Sequence, residues 1–209
     1  MSSAKTYRRL PLILLLSFAA GLVWSGIAPK DRFTWWLEVA PVLIGLPIVL
    51  ATHRRFPLTP LLVVLLTVHA TILCVGGHWT YAEVPLGFWM ARTFGWSRNH
   101  YDRIGHLAQG FVPAILVREV LVRRSPLAGS RWLPVVVVSM CLAVSALYEL
   151  IEWGTALATA GGATAFLGTQ GDPWDTQWDM FMALVGACAA LVLLSSAHDR
   201  ALARMHVST

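Results

Sequence analysis

RNHYDRIGHLAQGFVPAILVREVLV, Arg98 to Val122, packs two arginines, two histidines and an aspartate into its first nine residues and then turns apolar. From Asp102 onward it is long enough, at ~1.5 Å per residue, to cross ~30 Å of hydrocarbon as a helix. The titratable residues therefore stand at the mouth of a membrane helix, where an unpaired charge is costly and a functional role is the default expectation.

The rest of the chain fits that reading. Its 209 residues are 56% hydrophobic and 13% charged, with a mean hydropathy of +0.62. A soluble domain carries about 25% charged residues, so a multi-pass membrane protein is indicated. Apolar runs predict six membrane segments, at about Leu10–Ile27, Trp35–Ala51, Leu58–Val75, Asp102–Val122, Leu133–Leu157 and Asp175–Ala197. Pro57, Pro134 and Pro173 fall near helix starts, where a missing N–H costs little. No internal repeat or composition break divides the chain. The expected fold is an all-α, six-helix transmembrane bundle forming one domain over residues 1–209.

Two segments need separate treatment. The start, MSSAKTYRRLPLILLLSFAAGLVW, has a basic region before an apolar run, but the run is long and no A-x-A site follows, so an uncleaved first helix is expected. GGHWTYAEVPLGFWMARTFGWS, Gly76 to Ser97, is rich in Trp and Phe yet too interrupted to cross. It reads as an amphipathic piece in the interface or a short re-entrant segment between the third and fourth helices.

Charge distribution orients the bundle. Lys5, Arg8, Arg9, Arg54, Arg55, Arg118, Arg123, Arg124, Arg131, Arg200 and Arg204 share one side of a six-crossing chain. The other side holds Lys30, Arg32, Arg92 and Arg98, with Arg103 at its edge. The excess puts both termini in the cytoplasm.

The same distribution removes other function classes. The net charge of +5 comes from arginines between apolar runs, so the partner is the lipid bilayer and not nucleic acid. Cys74, Cys141 and Cys188 stand singly in apolar runs, without the spacing of a disulfide framework or a thiolate zinc site. Ser139 and Ser145 lack the strand-to-helix setting of a hydrolase nucleophile, and no Gly-rich nucleotide loop occurs.

With this topology, three helices deliver polar groups to one depth. Asp102 and His106 share a face of the fourth segment by their four-residue spacing. Glu149 and Glu152, in YELIEW, come ~24–30 Å along the fifth segment and lie near the outer side. GDPWDTQWDM opens the sixth with Asp172, Asp175 and Asp179. The expected pocket holds Asp102, Arg103, His106, Glu149, Glu152, Asp172, Asp175 and Asp179. His78, Tyr81, Glu83, His100 and Gln170, on outer loops, are candidate lid residues.

HWTYAEVP, RNHYDRIGHLAQGF, SALYELIEW and FLGTQGDPWDTQWDM, in that order, resemble the family of bacterial inner-membrane proteins typified by YjdF. The likeness lies in the second half of the chain. A looser likeness is to VanZ-like membrane proteins, which arrange D-[KR]-x-x-H, a later Glu motif and an Asp-containing helix start. Asp102, Arg103 and His106 match the first element, while Glu149 and Glu152 stand where that family has a Glu-x-x-Gln type element, which adds an acid here. The resemblance implies a cell-envelope role and supplies no reaction.

Four readings of the cluster stand side by side. His106 with Asp102, Glu149, Glu152, Asp175 and Asp179 suits a divalent metal ion, Zn, Mn or Fe with the imidazole, or Mg, Ca or Mn with carboxylates alone. Such a site serves chemistry on a small polar or lipid-linked ligand. Paired acids and a histidine also suit a proton-coupled transporter or lipid translocator, although no polar trail reaches the other side. An outer pocket can bind a ligand without turnover. The bland alternative is an ion-pair network in which Arg98 and Arg103 neutralise Asp102, Glu149 or Asp175; it leaves acids in excess. Arg118 and Glu119 read as snorkelling side chains or an interfacial pair, His53 and His198 as ordinary residues of the cytoplasmic side, and Trp35, Trp36, Trp79, Trp89 and Trp96 as interface anchors.

Overall fold

A computed structural model describes residues 18–159 and 164–206. These residues are all helix and connection, with no strand among them. In chain order they form α1 (the helical residues 18–26), α2 (Arg32–Thr52), α3 (Pro60–Trp79), α4 (Pro85–Phe94), α5 (Tyr101–Arg124), α6 (Trp132–Ala158), α7 (Thr164–Leu167) and α8 (Asp175–His206). Five of them, α2, α3, α5, α6 and α8, are long and apolar enough to span a bilayer. The expected first segment at Leu10–Ile27 begins outside the described residues.

Local chemistry accounts for the differences from the expected bounds. α2 starts earlier because Asp31 caps it, its Oδ1 accepting the Thr34 N–H at 2.6 Å. That bond holds the Asp31 carboxyl below the usual carboxylate range. α3 begins at Pro60 behind Thr59 instead of near Pro57, and runs on through Gly76 and Gly77 to Trp79, taking a turn from the expected loop. It stops where Thr80 and Tyr81 adopt positive φ. α4, the amphipathic piece, is a separate ten-residue helix of ~15 Å, too short to cross. α8 extends to His206, well past Ala197.

The core is the parallel pair α5 and α8. Arg103 meets Asp175, Gly110 packs on Ala183, and Arg118 meets Asp199, so contacts advance along both helices together. Glycine permits the approach. A Cβ on Gly110 would lie 1.8 Å from the Ala183 carbonyl oxygen, and one on Gly186 would lie 2.1 Å from that of Leu107. α6 runs antiparallel to this pair, with Val137 and Cys141 in the apolar layer beside Ala114, Ile115, Ala187 and Ala190, and Glu149 near His106. α3 is also antiparallel to α5, joined by Thr59 to Glu119 at one end and by Tyr101 Oη to the Ile72 carbonyl at the other.

The end opposite His106 is locked by a buried polar joint that corrects the sequence reading of Arg118, Glu119 and His198. Glu119 is fully buried, accepting from Thr59 N–H at 3.0 Å, Thr59 Oγ1 at 2.7 Å and Arg123 at 2.9 Å. His198, also fully buried, is no surface residue. Its Nδ1 accepts from Arg118 Nη1 at 2.8 Å, since a guanidinium only donates, and its Nε2–H donates to Glu119 at 2.9 Å. The joint ties α3, α5 and α8 with its hydrogen bonds satisfied. Trp35 is likewise not an interface anchor: it is buried and donates to Ser25 Oγ at 3.1 Å, whereas Trp36, Trp89 and Trp96 are exposed.

Gly110→Ala is expected to cost ~1–3 kcal/mol or more, because a carbonyl oxygen cannot move aside as a side chain can. Gly45→Ala, with open space around it, is expected to be neutral or slightly stabilising. Thermal midpoints of the purified proteins in one detergent check both.

Candidate functional site

The site is placed by how α5 begins. Asn99, 1% exposed, accepts the Tyr101 N–H at 3.0 Å through Oδ1 and donates Nδ2 to the Val84 carbonyl at 2.9 Å. Gln170 grips its backbone from the other side, accepting Asn99 N–H at 3.0 Å and donating to Asn99 O at 2.8 Å. Gly87 leaves the room Asn99 needs; a Cβ there would sit 1.6 Å from Asn99 Oδ1. The first turn of α5 is therefore held before Asp102, Arg103 and His106 project from it.

The arginines sort the acids into two groups. Arg98 Nη1 lies 3.1 Å from Asp172 and 2.9 Å from Asp175. Arg103 Nη2 lies 3.1 Å from Asp172 and 2.7 Å from Asp175, and its Nη1 is 3.3 Å from Asp179 Oδ1. The ion-pair network expected as the bland reading thus exists, but it claims Asp172 and Asp175 and leaves Asp102 and Glu149 to His106.

Around His106 the geometry differs. Its Nδ1 is 2.8 Å from Gln109 Oε1, which accepts the Nδ1 proton and orients Nε2 toward the acids. Nε2 is 3.6 Å from Asp102 Oδ1 and 3.9 Å from both Glu149 Oε1 and Asp179 Oδ1. Hydrogen bonds to nitrogen lie at about 2.7–3.2 Å, so these groups converge without bonding. Glu149 Oε1 is buried without a hydrogen bond, and buried Asp179 Oδ1 has the Arg103 ion pair at 3.3 Å but no hydrogen bond, a costly state for carboxylate oxygens. Ligand atoms of Asp102, His106 and Asp179 lie within 4.8 Å of one another, as do those of His106, Glu149 and Glu152.

One member was missed in the sequence. Glu38, on α2, is 6% exposed, accepts Tyr148 Oη at 3.3 Å and faces the charges of Asp102 and Glu149. Its signal was available: it is the lone acid in an otherwise apolar membrane run.

The candidate lid residues mostly brace the outer structure. His78 Nδ1 lies 3.0 Å from the Ser25 carbonyl and its ring stacks on Trp24. Glu83 pairs with Lys30 at the surface. Tyr81 is buried against Gly76 and Gly105, one position from His106, and so forms a wall. Gln170 holds Asn99, as described above. His100 precedes α5 and meets Trp96 edge-on; burial, then the Arg98 and Arg103 charges, push it below the ordinary histidine range, so it is neutral at pH 7.

Residues 10–200 match the family model described as predicted membrane protein (DUF2238). The chain belongs to this family. It is 50% identical to inner membrane protein YjdF of Escherichia coli strain K12 over 202 residues, covering 95% of this chain and 97% of the relative. No solved structure matches it. As a DUF2238 protein with five apolar helices of spanning length among its described residues, it is a multi-pass membrane protein.

Arg103→Met is expected to destabilise by about 3–5 kcal/mol, because it leaves buried Asp175 and Asp179 short of a counter-charge. Lys30→Met, which removes one half of an exposed pair with Glu83, is expected to cost less than ~1 kcal/mol. Denaturation midpoints measured side by side in one detergent distinguish the two scales.

Proposed function

We propose that the His106 cluster is a divalent metal centre on the periplasmic side of the bacterial inner membrane, and that the protein binds or transforms a small polar or lipid-linked ligand there. The observation that supports the reading is the convergence on His106 Nε2 of Glu149 Oε1 and Asp179 Oδ1, both buried and without a hydrogen bond, with the Arg103 ion pair at 3.3 Å on Asp179 alone. Tetrahedral ligands ~2.1 Å from a metal stand about 3.4 Å apart, so the 3.6–3.9 Å separations need only small closure. A cation also offsets the repulsion among Glu38, Asp102, Glu149, Glu152 and Asp179, which Arg103 and His106 alone do not balance. One imidazole among carboxylates suits Mn²⁺, Zn²⁺ or Fe²⁺. Gln109 then acts as the outer partner that sets the tautomer. A metal so held polarises a phosphate or activates water.

The basic residues between spans support six crossings of a single domain over residues 1–209, with both termini cytoplasmic and α4 in the outer interface. The VanZ-like pattern at Asp102, Arg103 and His106 agrees with an envelope role. Transport is less well supported. Leu62, Ala114, Ile115, Val137, Cys141, Ala187 and Ala190 form a dry layer between the His106 cluster and the Glu119–His198 joint. Mostly apolar side chains thus separate the two polar ends.

Elemental analysis of gently purified protein is expected to find about one divalent ion per chain, absent from His106→Ala and Asp179→Asn. Gln109→Leu is expected to weaken binding by about 10–100-fold while leaving the fold intact. Wild-type protein that contains no metal after chelator-free purification, and whose melting temperature no added Mn²⁺, Zn²⁺ or Fe²⁺ shifts, would refute the metal centre.

A further inference from the structure

The Arg98/Arg103 clamp stands between two cavities of opposite character. On one side a cavity of about 380 Å³ is lined by Thr169, Gly171, Asp172, Pro173, Asp175 and Thr176, the polar loop leading into α8. On the other a cleft of about 310 Å³ is lined by Met90, Trp96, Ile104, Leu107 and Met182, with His100 and Arg103 completing it. Arg103 belongs to the apolar cleft and Asp175 to the polar cavity, and the two are paired at 2.7 Å.

We propose that the apolar cleft between α4, α5 and α8 admits the acyl chain of a phosphate-headed membrane lipid from the side, bringing its headgroup to the His106 cluster. The proposal rests on the metal-centre reading, since bare carboxylates would repel a phosphate. Its own support is independent of that reading. Ile104, Leu107 and Met182 belong to spanning helices, so the cleft faces hydrocarbon, and its volume falls within the ~300–1,000 Å³ of ligand-sized pockets. The chemistry changes along its length. Apolar side chains line it except where it meets Arg103 and His100, a cation and a neutral imidazole, and Arg103 reaches on to Asp179. A lipid has that order of parts, an apolar chain ending in a charged head, and Arg103, whose Nη atoms pair with Asp172, Asp175 and Asp179, marks the polar end of the cleft beside the cluster. Trp96 and Trp89, both exposed near its mouth on the α4 side, suit a position at headgroup level. A soluble anion would enter from the polar cavity and would leave the apolar cleft unused.

The test places full-length, Mn²⁺-loaded protein in phosphatidylcholine nanodiscs containing a small fraction of phosphatidic acid with a diazirine in one acyl chain. After irradiation, labelled positions are mapped by mass spectrometry. Labelling at Ile104, Leu107 and Met182 is expected to exceed that at Ile44 and Ile48, exposed on α2, by about tenfold. Leu107→Trp, which fills the cleft, is expected to lower it by a similar factor without loss of Mn²⁺ or of melting temperature; Ile104→Trp serves as the second filling variant. Even labelling of α2, α5 and α8 in protein that retains Mn²⁺ overturns the lipid cleft and leaves the metal centre standing. Equal cleft labelling by diacylglycerol carrying the same diazirine chain, which has no phosphate, overturns the phosphate preference. Absence of Mn²⁺ from wild-type protein, with cleft labelling intact, instead overturns the metal centre and supports the cleft as a lipid site.

Discussion

Carboxylates do not enter an apolar bundle without a counter-charge, and this chain buries several at one end. Removing an ion from water costs several kcal/mol even after relaxation, so each buried acid has to be accounted for by a partner. Two of the acids, Asp172 and Asp175, are accounted for by Arg98 and Arg103 at 2.7–3.1 Å. Asp102, Glu149 and Asp179 face His106 at 3.6–3.9 Å, too long for hydrogen bonds, and of these only Asp179 also meets Arg103. The rest of the molecule is arranged around that imbalance. Gly110 and Gly186 bring α5 and α8 close enough for the arginines to reach, and Asn99 with Gln170 sets the rotation of α5 at its start.

The two polar ends of the bundle illustrate the same constraint resolved in two ways. At Glu119 the carboxylate has Thr59, Arg123 and His198 as donors, and His198 in turn has Arg118. Nothing there is left over, so the joint is structural. At Glu149 and Asp179, one carboxylate oxygen of each is buried without a hydrogen bond. A satisfied network fixes helices to one another; an unsatisfied one keeps ligand capacity in reserve. The contrast is what makes the His106 end, and not the opposite end, the functional candidate. The proposed metal centre and the lipid cleft both follow from that difference.

The covering of the cluster is equally physical. Tyr81 sits against Gly105 and closes one wall, while His78 and Glu83, which share its loop, are spent on Ser25 and Lys30. Proximity in sequence to a polar motif did not make them part of the site. Glu38, far in sequence from the other acids of the cluster, did join it, because α2 packs where its face meets Asp102 and Tyr148.

The sequence by itself determined that the chain is helical and membrane-embedded, because long apolar runs can satisfy their backbone in lipid only as helices or closed barrels. It also determined that Asp102 and His106 share a face, and that Glu149, Glu152, Asp175 and Asp179 lie at one depth with them, since helical rise and spacing are local properties. Only the tertiary structure decided which acid each arginine neutralises, that Glu38 belongs, that His198 is buried, and that α3 continues through Gly76 and Gly77. Those outcomes depend on how helices rotate and approach one another. Such choices are set by contacts between residues distant in the chain, such as Gly110 with Ala183 and Thr59 with Glu119, and no local pattern of residues encodes them.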